Sequence, residues 1–230
     1  MHEFDPLASQ YKHLLDQSIS FSGSEGTFFA DHKARLIAET IGHEFSGTAL
    51  DYGCGIGLLV SCLRKRLPCA MIHGFDPSVE SLRVIGPATR NGELFTSAEA
   101  DLAPAYDLVV MANVLHHVPR EERQPLVSRL ARRVRANGHF IIFEHNPINP
   151  LTRWVVQHSA LDKNALLLKP HEAVSYLQEA FSVVRRTYVM FSPAPLQWLN
   201  WMEPRLTWCP LGAQYMVTGQ QLTTPVPTQA

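Results

Sequence analysis

The 230-residue sequence has only four cysteines, Cys54, Cys62, Cys69 and Cys209, and no two of them form a CxxC pair. No His/Cys cluster has zinc-ligand spacing, so the sequence offers no metal site. It lacks any run of about 18 apolar residues, so no transmembrane segment is expected. Residues 1–20 show no basic start followed by an apolar core, which argues against a secretory signal. Reduced thiols in a cytoplasm are the simplest reading. Charge is sparse at 18%, and 20 Lys+Arg against 21 Asp+Glu leave a net charge of -1. A nucleic-acid binder usually carries a basic face, and none is expected here. The densest basic run, Arg129, Arg132, Arg133 and Arg135, reads as the solvated end of a helix. Internal repeats and long low-complexity stretches are absent.

What is present suits a folded enzyme-sized unit. The hydrophobic fraction is 46%, and the length fits one α/β domain, or one domain with a modest insertion. Residues 11–16 and 32–41 read as helices, joined by a Ser/Gly-rich connection over 20–26. From residue 48 onward, short apolar runs alternate with amphipathic segments. Strands are expected at 48–52, 70–75, 94–96, 107–112 and 139–143, with helices at 58–66, 79–85 and 120–134. This alternation argues for a parallel sheet with helices on both faces. Residues 147–170 read as an insertion after strand five. A helix over 170–180 follows, then a strand at 183–191, a Trp-rich helix at 196–208 and a last strand at 213–218. The division is a helical cap over 1–45, a main domain over 46–219 and a frayed tail over 220–230.

The chemistry concentrates in Ala49-Leu50-Asp51-Tyr52-Gly53-Cys54-Gly55-Ile56-Gly57, which joins a strand to a helix. Gly53, Gly55 and Gly57 allow a tight turn and close approach to a ligand. Open α/β sheets bind ligands at the carboxyl ends of their strands, where this loop lies. Asp76 ends the next strand, 19 residues after Gly57, and can accept hydrogen bonds from ribose hydroxyls. The spacing is GxGxG, and position 58 is Leu, so the pyrophosphate fingerprint GxGxxG is absent. Asp51 would repel a pyrophosphate but can take up a cationic amino group. A ligand with an amino-acid end and a ribose is favoured.

Residues Leu50 to Gly57 resemble motif I of class I S-adenosylmethionine (SAM)-dependent methyltransferases. Asp76, followed by Pro77, matches that family's acidic ribose-binding position. Tyr106 to Val118 is similar to its strand-four segment, and Arg135-Ala136-Asn137-Gly138-His139-Phe140 to the turn entering strand five. The four motifs run in the right order over residues 45–145. The resemblance implies a Rossmann-like three-layer α/β/α sandwich, with a seven-stranded, mostly parallel sheet and an antiparallel last strand. It implies SAM as cofactor and a small-molecule methyl acceptor, of the metabolite, quinone or natural-product kind. The cofactor residues it implies are Asp51, Gly53, Cys54, Gly55, Gly57, Asp76, Pro77, Glu99 and Asn113.

Each candidate has a plainer reading. The glycines can be an ordinary turn, Asp76 a helix cap and Asn113 a turn residue. Glu99 and Asp101 are both candidates for the adenine amino group, or solvated side chains. His117 is the candidate general base, with His116 second to it. His116, Glu144, His145 and Asn146 are candidate substrate contacts at the sheet rim, and the last three can equally form a capped turn before Pro147. Trp198, Trp201 and Trp208 read as core packing, or as a greasy surface for a lipid-like substrate or a homodimer partner.

Three other functions compete. Methyltransferases acting on exocyclic base amines often carry Asn/Asp-Pro-Pro-Tyr after strand four, where this chain has Asn113-Val114-Leu115-His116. A non-catalytic SAM-binding regulator is less favoured because the motif residues are intact. The glycine spacing disfavours a nicotinamide-dependent oxidoreductase.

Overall fold

A computed structural model describes residues 26–159, 161–191 and 201–220. Its centre is a seven-stranded sheet: β1 (Thr48–Tyr52), β2 (Met71–Phe75), β3 (Phe95–Thr96), β4 (Tyr106–Ala112), β5 (Val134–His145), β6 (Val183–Val189) and β7 (Gln214–Gln220). The spatial order is β3-β2-β1-β4-β5-β7-β6. Strands β1 to β5 pair in parallel, and β7 runs antiparallel to both β5 and β6.

The strands alternate between two cores. Leu108 and Val110 of β4 join Ile141 and Phe143 of β5 on one face, with Ala30, Ala34, Ile37 and Ala38 of helix α1 (Gly26–Ile41) and Leu59, Val60 and Leu63 of α2 (Leu58–Arg66). Val109, Met111, Phe140 and Ile142 face the other core, with Leu126, Val127 and Leu130 of α5 (Arg120–Ala131). Each fully buried Val, Leu, Ile, Phe or Met side chain among them contributes about 1.5–3 kcal/mol. Helices therefore cover both faces, as the α/β alternation requires. Strand order reverses between β1 and β4, which opens a crevice at their carboxyl ends.

Several element boundaries differ from the sequence reading. Helix α1 starts at Gly26 rather than at residue 32. The segment expected as one helix at 79–85 forms α3 (Val79–Arg83), and α4 (Pro87–Arg90) follows it. Helix α5 ends at Ala131, and β5 begins at Val134 instead of 139. The pairing jumps from Tyr106↔Val134 to Leu108↔His139, so residues 135–138 bulge from the ladder. Asn137 there has φ 62, and a side chain on Gly138 would meet the Asp107 carbonyl at 2.9 Å. Apolar periodicity cannot register such a bulge, because its exposed residues look like a helix end.

The segment after β5 contains α6 (Pro150–His158), capped by the Asn149 side chain, which accepts from the N–H groups of Leu151 and Thr152. Helix α7 (Pro170–Gln178) follows. Of the segment expected as a Trp-rich helix, the described residues contain α8 (Glu203–Leu206). Core packing is overturned for two of its tryptophans, since Trp201 is 62% exposed and Trp208 74%. Trp198, the helix at 11–16 and the tail beyond Gln220 lie outside the described residues. Among the described residues no helix is long and apolar enough to cross a membrane.

Candidate functional site

A cavity of about 840 Å³ opens at the carboxyl ends of β1, β2, β4 and β5. The glycine loop forms one wall. Gly53 (φ 84), Gly55 (φ 52) and Gly57 (φ 80) all occupy the left-handed region that favours glycine. A Cβ on Gly53 would come within 2.5 Å of Val114, so close approach as well as conformation requires glycine there. The N–H groups of Gly53 and Cys54 donate to the Phe75 carbonyl, which ties the loop to the end of β2. Asp76 braces it further: Oδ2 accepts the Gly55 N–H at 2.8 Å and Oδ1 the Ser78 N–H at 2.9 Å. A carboxylate has about four acceptor positions, so capacity remains for a ligand hydroxyl. Asp76 and Pro77 both line the cavity, as does Cys54, whose buried thiol is pushed to a high pKa by desolvation. Gly57 does not line it; its place is the turn into α2, against Ile85 and Thr89.

Asp51, the penultimate residue of β1, lies in the cavity wall and is 2% exposed. Neither carboxylate oxygen has a hydrogen-bond partner among the described residues. Burial raises its pKa to about 7, against the pull of Lys33 and with the help of Asp76. Asn113, at φ 59, also lines the cavity, and its buried Oδ1 has no partner either. Buried acceptors are almost always satisfied, so three orphans on one wall mark where a donor belongs. Lys33 of α1 lines the same cavity, with its ammonium 5.9 Å from the Phe143 ring centroid. Burial lowers its pKa to about 8, and Glu144, Asp51 and Asp162 work against that.

The histidines occupy the other end. His116 and His117 close a 3₁₀ turn (Leu115–His117) after β4. His116 lies between two carboxylates, its Nδ1 2.6 Å from Glu144 Oε2 and its Nε2 3.2 Å from Asp162 Oδ1. Burial opposes its charge, but the two carboxylates outweigh burial and hold the pKa at about 9. Burial also favours protonation of Asp162, but His116 and His145 hold its pKa well below the usual carboxylate range. His117 Nε2 stands 3.6 Å from the same Asp162 oxygen. His145 is kept neutral, at a pKa of about 4, by burial and by the His116 charge. His116, His117, His145 and Asp162 all line the cavity.

Three expected contacts are corrected. Glu144 is fully buried and lies behind the cavity wall. Its Oε1 accepts the Val114 and Leu115 N–H groups, and its Oε2 faces His116, so it anchors the turn rather than a substrate. Asn146 donates to the Pro210 and Gly212 carbonyls, which fastens β5 to the segment entering β7. Glu99 accepts from Arg129 at 3.0 Å and does not line the cavity. Lys33 and Asp162 line the cavity and escaped the sequence reading. Lys33 sits on the buried stripe of α1 beside Ala30, Ala34, Ile37 and Ala38, and a lysine on an apolar stripe was the available signal. Asp162 has no local signal, because only the tertiary fold brings it to His116.

Comparison with known proteins agrees with this geometry. A family model described as a methyltransferase domain matches residues 50–140. The ribosomal RNA small subunit methyltransferase C of Haemophilus influenzae is 29% identical over 114 residues, which is 46% of this chain and 34% of that protein. The trans-aconitate 2-methyltransferase of Mycobacterium ulcerans is 34% identical over 97 residues, 40% of this chain and 36% of that protein. The chain thus spans about a third of the length of these curated relatives. Among solved structures, the magnesium protoporphyrin IX methyltransferase of Synechocystis PCC 6803 with bound SAH superposes at a TM-score of 0.66, with 16% identity, over 95% of this chain and 96% of that one. A SAM-dependent methyltransferase of Thermotoga maritima, described as a possible histamine N-methyltransferase, gives 0.64 at 16% identity, over 95% and 98%. At such identities the likeness is one of fold. The glycine loop and the strand order agree with this likeness: residues 50–140 match a methyltransferase domain, and the fold is that of SAM-dependent methyltransferases.

Proposed function

We propose that this chain binds SAM in the described cavity and transfers its methyl group to a small-molecule acceptor. One observation supports the reading above others: the buried Asp51 carboxylate and Asn113 Oδ1 line the same cavity, and neither has a hydrogen-bond partner among the described residues. An α-ammonium supplies the N–H donors that these acceptors lack. Lys33 offers a positive charge in the same cavity for the adjacent carboxylate, so the zwitterionic end of SAM fits between them. Asp76 takes the ribose hydroxyls, Gly53, Cys54 and Gly55 allow close approach, and Pro77 flanks the nucleoside. The transfer is an in-line displacement at the sulfonium methyl. Holding the acceptor about 3 Å from that methyl supplies much of the acceleration.

The acceptor end is bounded by Phe29, Val155, Leu161, Met190 and Phe191, with His116, His117, His145 and Asp162 among its polar groups. This favours a largely apolar acceptor with one reactive polar group. His117, next to Asp162, is the side chain placed to deal with the acceptor's proton. His117→Gln is expected to lower kcat by about 10²-fold while leaving SAM affinity unchanged, as steady-state kinetics and calorimetry together would read.

The ribosomal RNA relative raises a second reading, in which the acceptor is RNA. Labelled methyl transfer from SAM, with a panel of phenolic, amine and carboxylate acceptors set against total ribosomal RNA, separates the two. Label in a small molecule is expected; label appearing in RNA alone would overturn the small-molecule reading.

A further inference from the structure

We propose that His116, His117 and Asp162 form a binding site for a divalent transition-metal ion at the acceptor end of the cavity. The inference deepens the proposed function, because it rests on that end being where the acceptor sits. One donor atom from each residue lies within 4.8 Å of the others. His116 Nε2 and His117 Nε2 stand 3.2 and 3.6 Å from the shared Asp162 oxygen. Metal–ligand bonds of about 2.0–2.2 Å place neighbouring ligand atoms about 3–3.5 Å apart, so small adjustments close the set around an ion.

The surroundings match such a site as well. Glu144 engages the other nitrogen of His116 at 2.6 Å, which fixes the ring and directs Nε2 toward Asp162. A carboxylate behind a ligating histidine is the usual outer support of a metal site. Glu144 is itself held by the Val114 and Leu115 N–H groups, so the support is rigid. The three ligands line the cavity while Glu144 stays behind its wall, and the open coordination positions therefore face the acceptor space. Two imidazoles and one carboxylate suit zinc or iron(II) and leave room for exogenous oxygen ligands.

The ligand class follows from this. An acceptor bearing a hydroxyl with a neighbouring hydroxyl or carbonyl oxygen would chelate the ion. Metal-bound oxygen gives up its proton more readily. The O–H proton passes to solvent, the O–CH3 bond forms as the S–CH3 bond breaks, and the sulfonium becomes a neutral thioether. With the ion in place, His117 serves as a ligand and the ion acidifies the acceptor.

The test uses the full chain, stripped with a chelator and titrated with cobalt(II) as a spectroscopic probe, with SAM calorimetry in parallel. A visible ligand-field band that saturates at one ion per chain and is displaced by zinc is expected. His117→Ala and Asp162→Ala should abolish it. Glu144→Gln, which keeps an acceptor for the turn, should weaken cobalt affinity by about 10–100-fold. Catechol added to the loaded protein should shift the band. No band in wild type, or a band that persists in both alanine variants, would overturn the site; an unshifted band would overturn its open coordination. SAM binding without cobalt binding rejects the metal site alone, whereas cobalt binding without SAM binding rejects the cofactor reading alone.

Discussion

Asp51→Asn is expected to weaken SAM binding by about 10- to 100-fold while leaving the cofactor-free protein at least as stable as wild type. Both effects arise from one cause. The carboxylate is 2% exposed and has no hydrogen-bond partner among the described residues, so it costs the empty protein the solvation of a charge. A charge-assisted hydrogen bond to an ammonium is worth about 1.5–3 kcal/mol, which sets the loss of affinity. The pH dependence follows with a definite sign. Folding raises the pKa from 3.8 to about 7, so the native state binds the extra proton in that window. The associated stability is complete below 3.8 and is lost as pH rises through about 7. The asparagine variant should lack this step. Ammonium binding needs the ionised carboxylate, so wild-type SAM affinity should fall as pH drops below about 7, and the variant should be flat across that range. Calorimetry and thermal melts at pH 6 and 8 read both. A variant that is less stable and binds SAM normally would place Asp51 in the scaffold alone.

Glu144→Ala is expected to carry the largest stability loss, about 3–5 kcal/mol in denaturant titration. The carboxylate is fully buried and serves three donors, the Val114 and Leu115 N–H groups and the His116 ring. Its removal leaves the buried His116 charge with Asp162 as its carboxylate partner and frees the turn that follows β4. Glu144→Gln retains an acceptor for the two N–H groups and should lose much less. A loss below about 1 kcal/mol for the alanine variant would contradict the role of Glu144 as the anchor of this turn.

The legibility of the sequence tracked the range of the interactions involved. Alternating apolar runs located every strand of the sheet, because buried strands need them irrespective of partners. The glycine loop and Asp76 were legible because backbone geometry and a fixed strand-to-strand distance dictate them. The bulge before His139 was not, since a detour of exposed residues leaves no periodic trace. The rim polar groups separated only in three dimensions. His145 faces the cavity, while its neighbours Glu144 and Asn146 are consumed by backbone groups of the β4 turn and of the segment entering β7. Alternation along a strand predicts opposite faces for adjacent residues but not which face holds the ligand. Asp162 reaches His116 across 46 residues, a pairing that no local pattern encodes. Trp201 and Trp208 show the converse, since composition alone made exposed residues look like core.

The most direct measurement is calorimetric titration of the full chain with SAM, beside the Asp76→Ala variant and with NAD as the control ligand. The account predicts saturable SAM binding that falls by about 100-fold or more when the Asp76 carboxylate, which serves both the Gly55 N–H and the ribose, is removed, and no binding of NAD. A folded wild-type protein that takes up no SAM, or that binds NAD in its place, would contradict it.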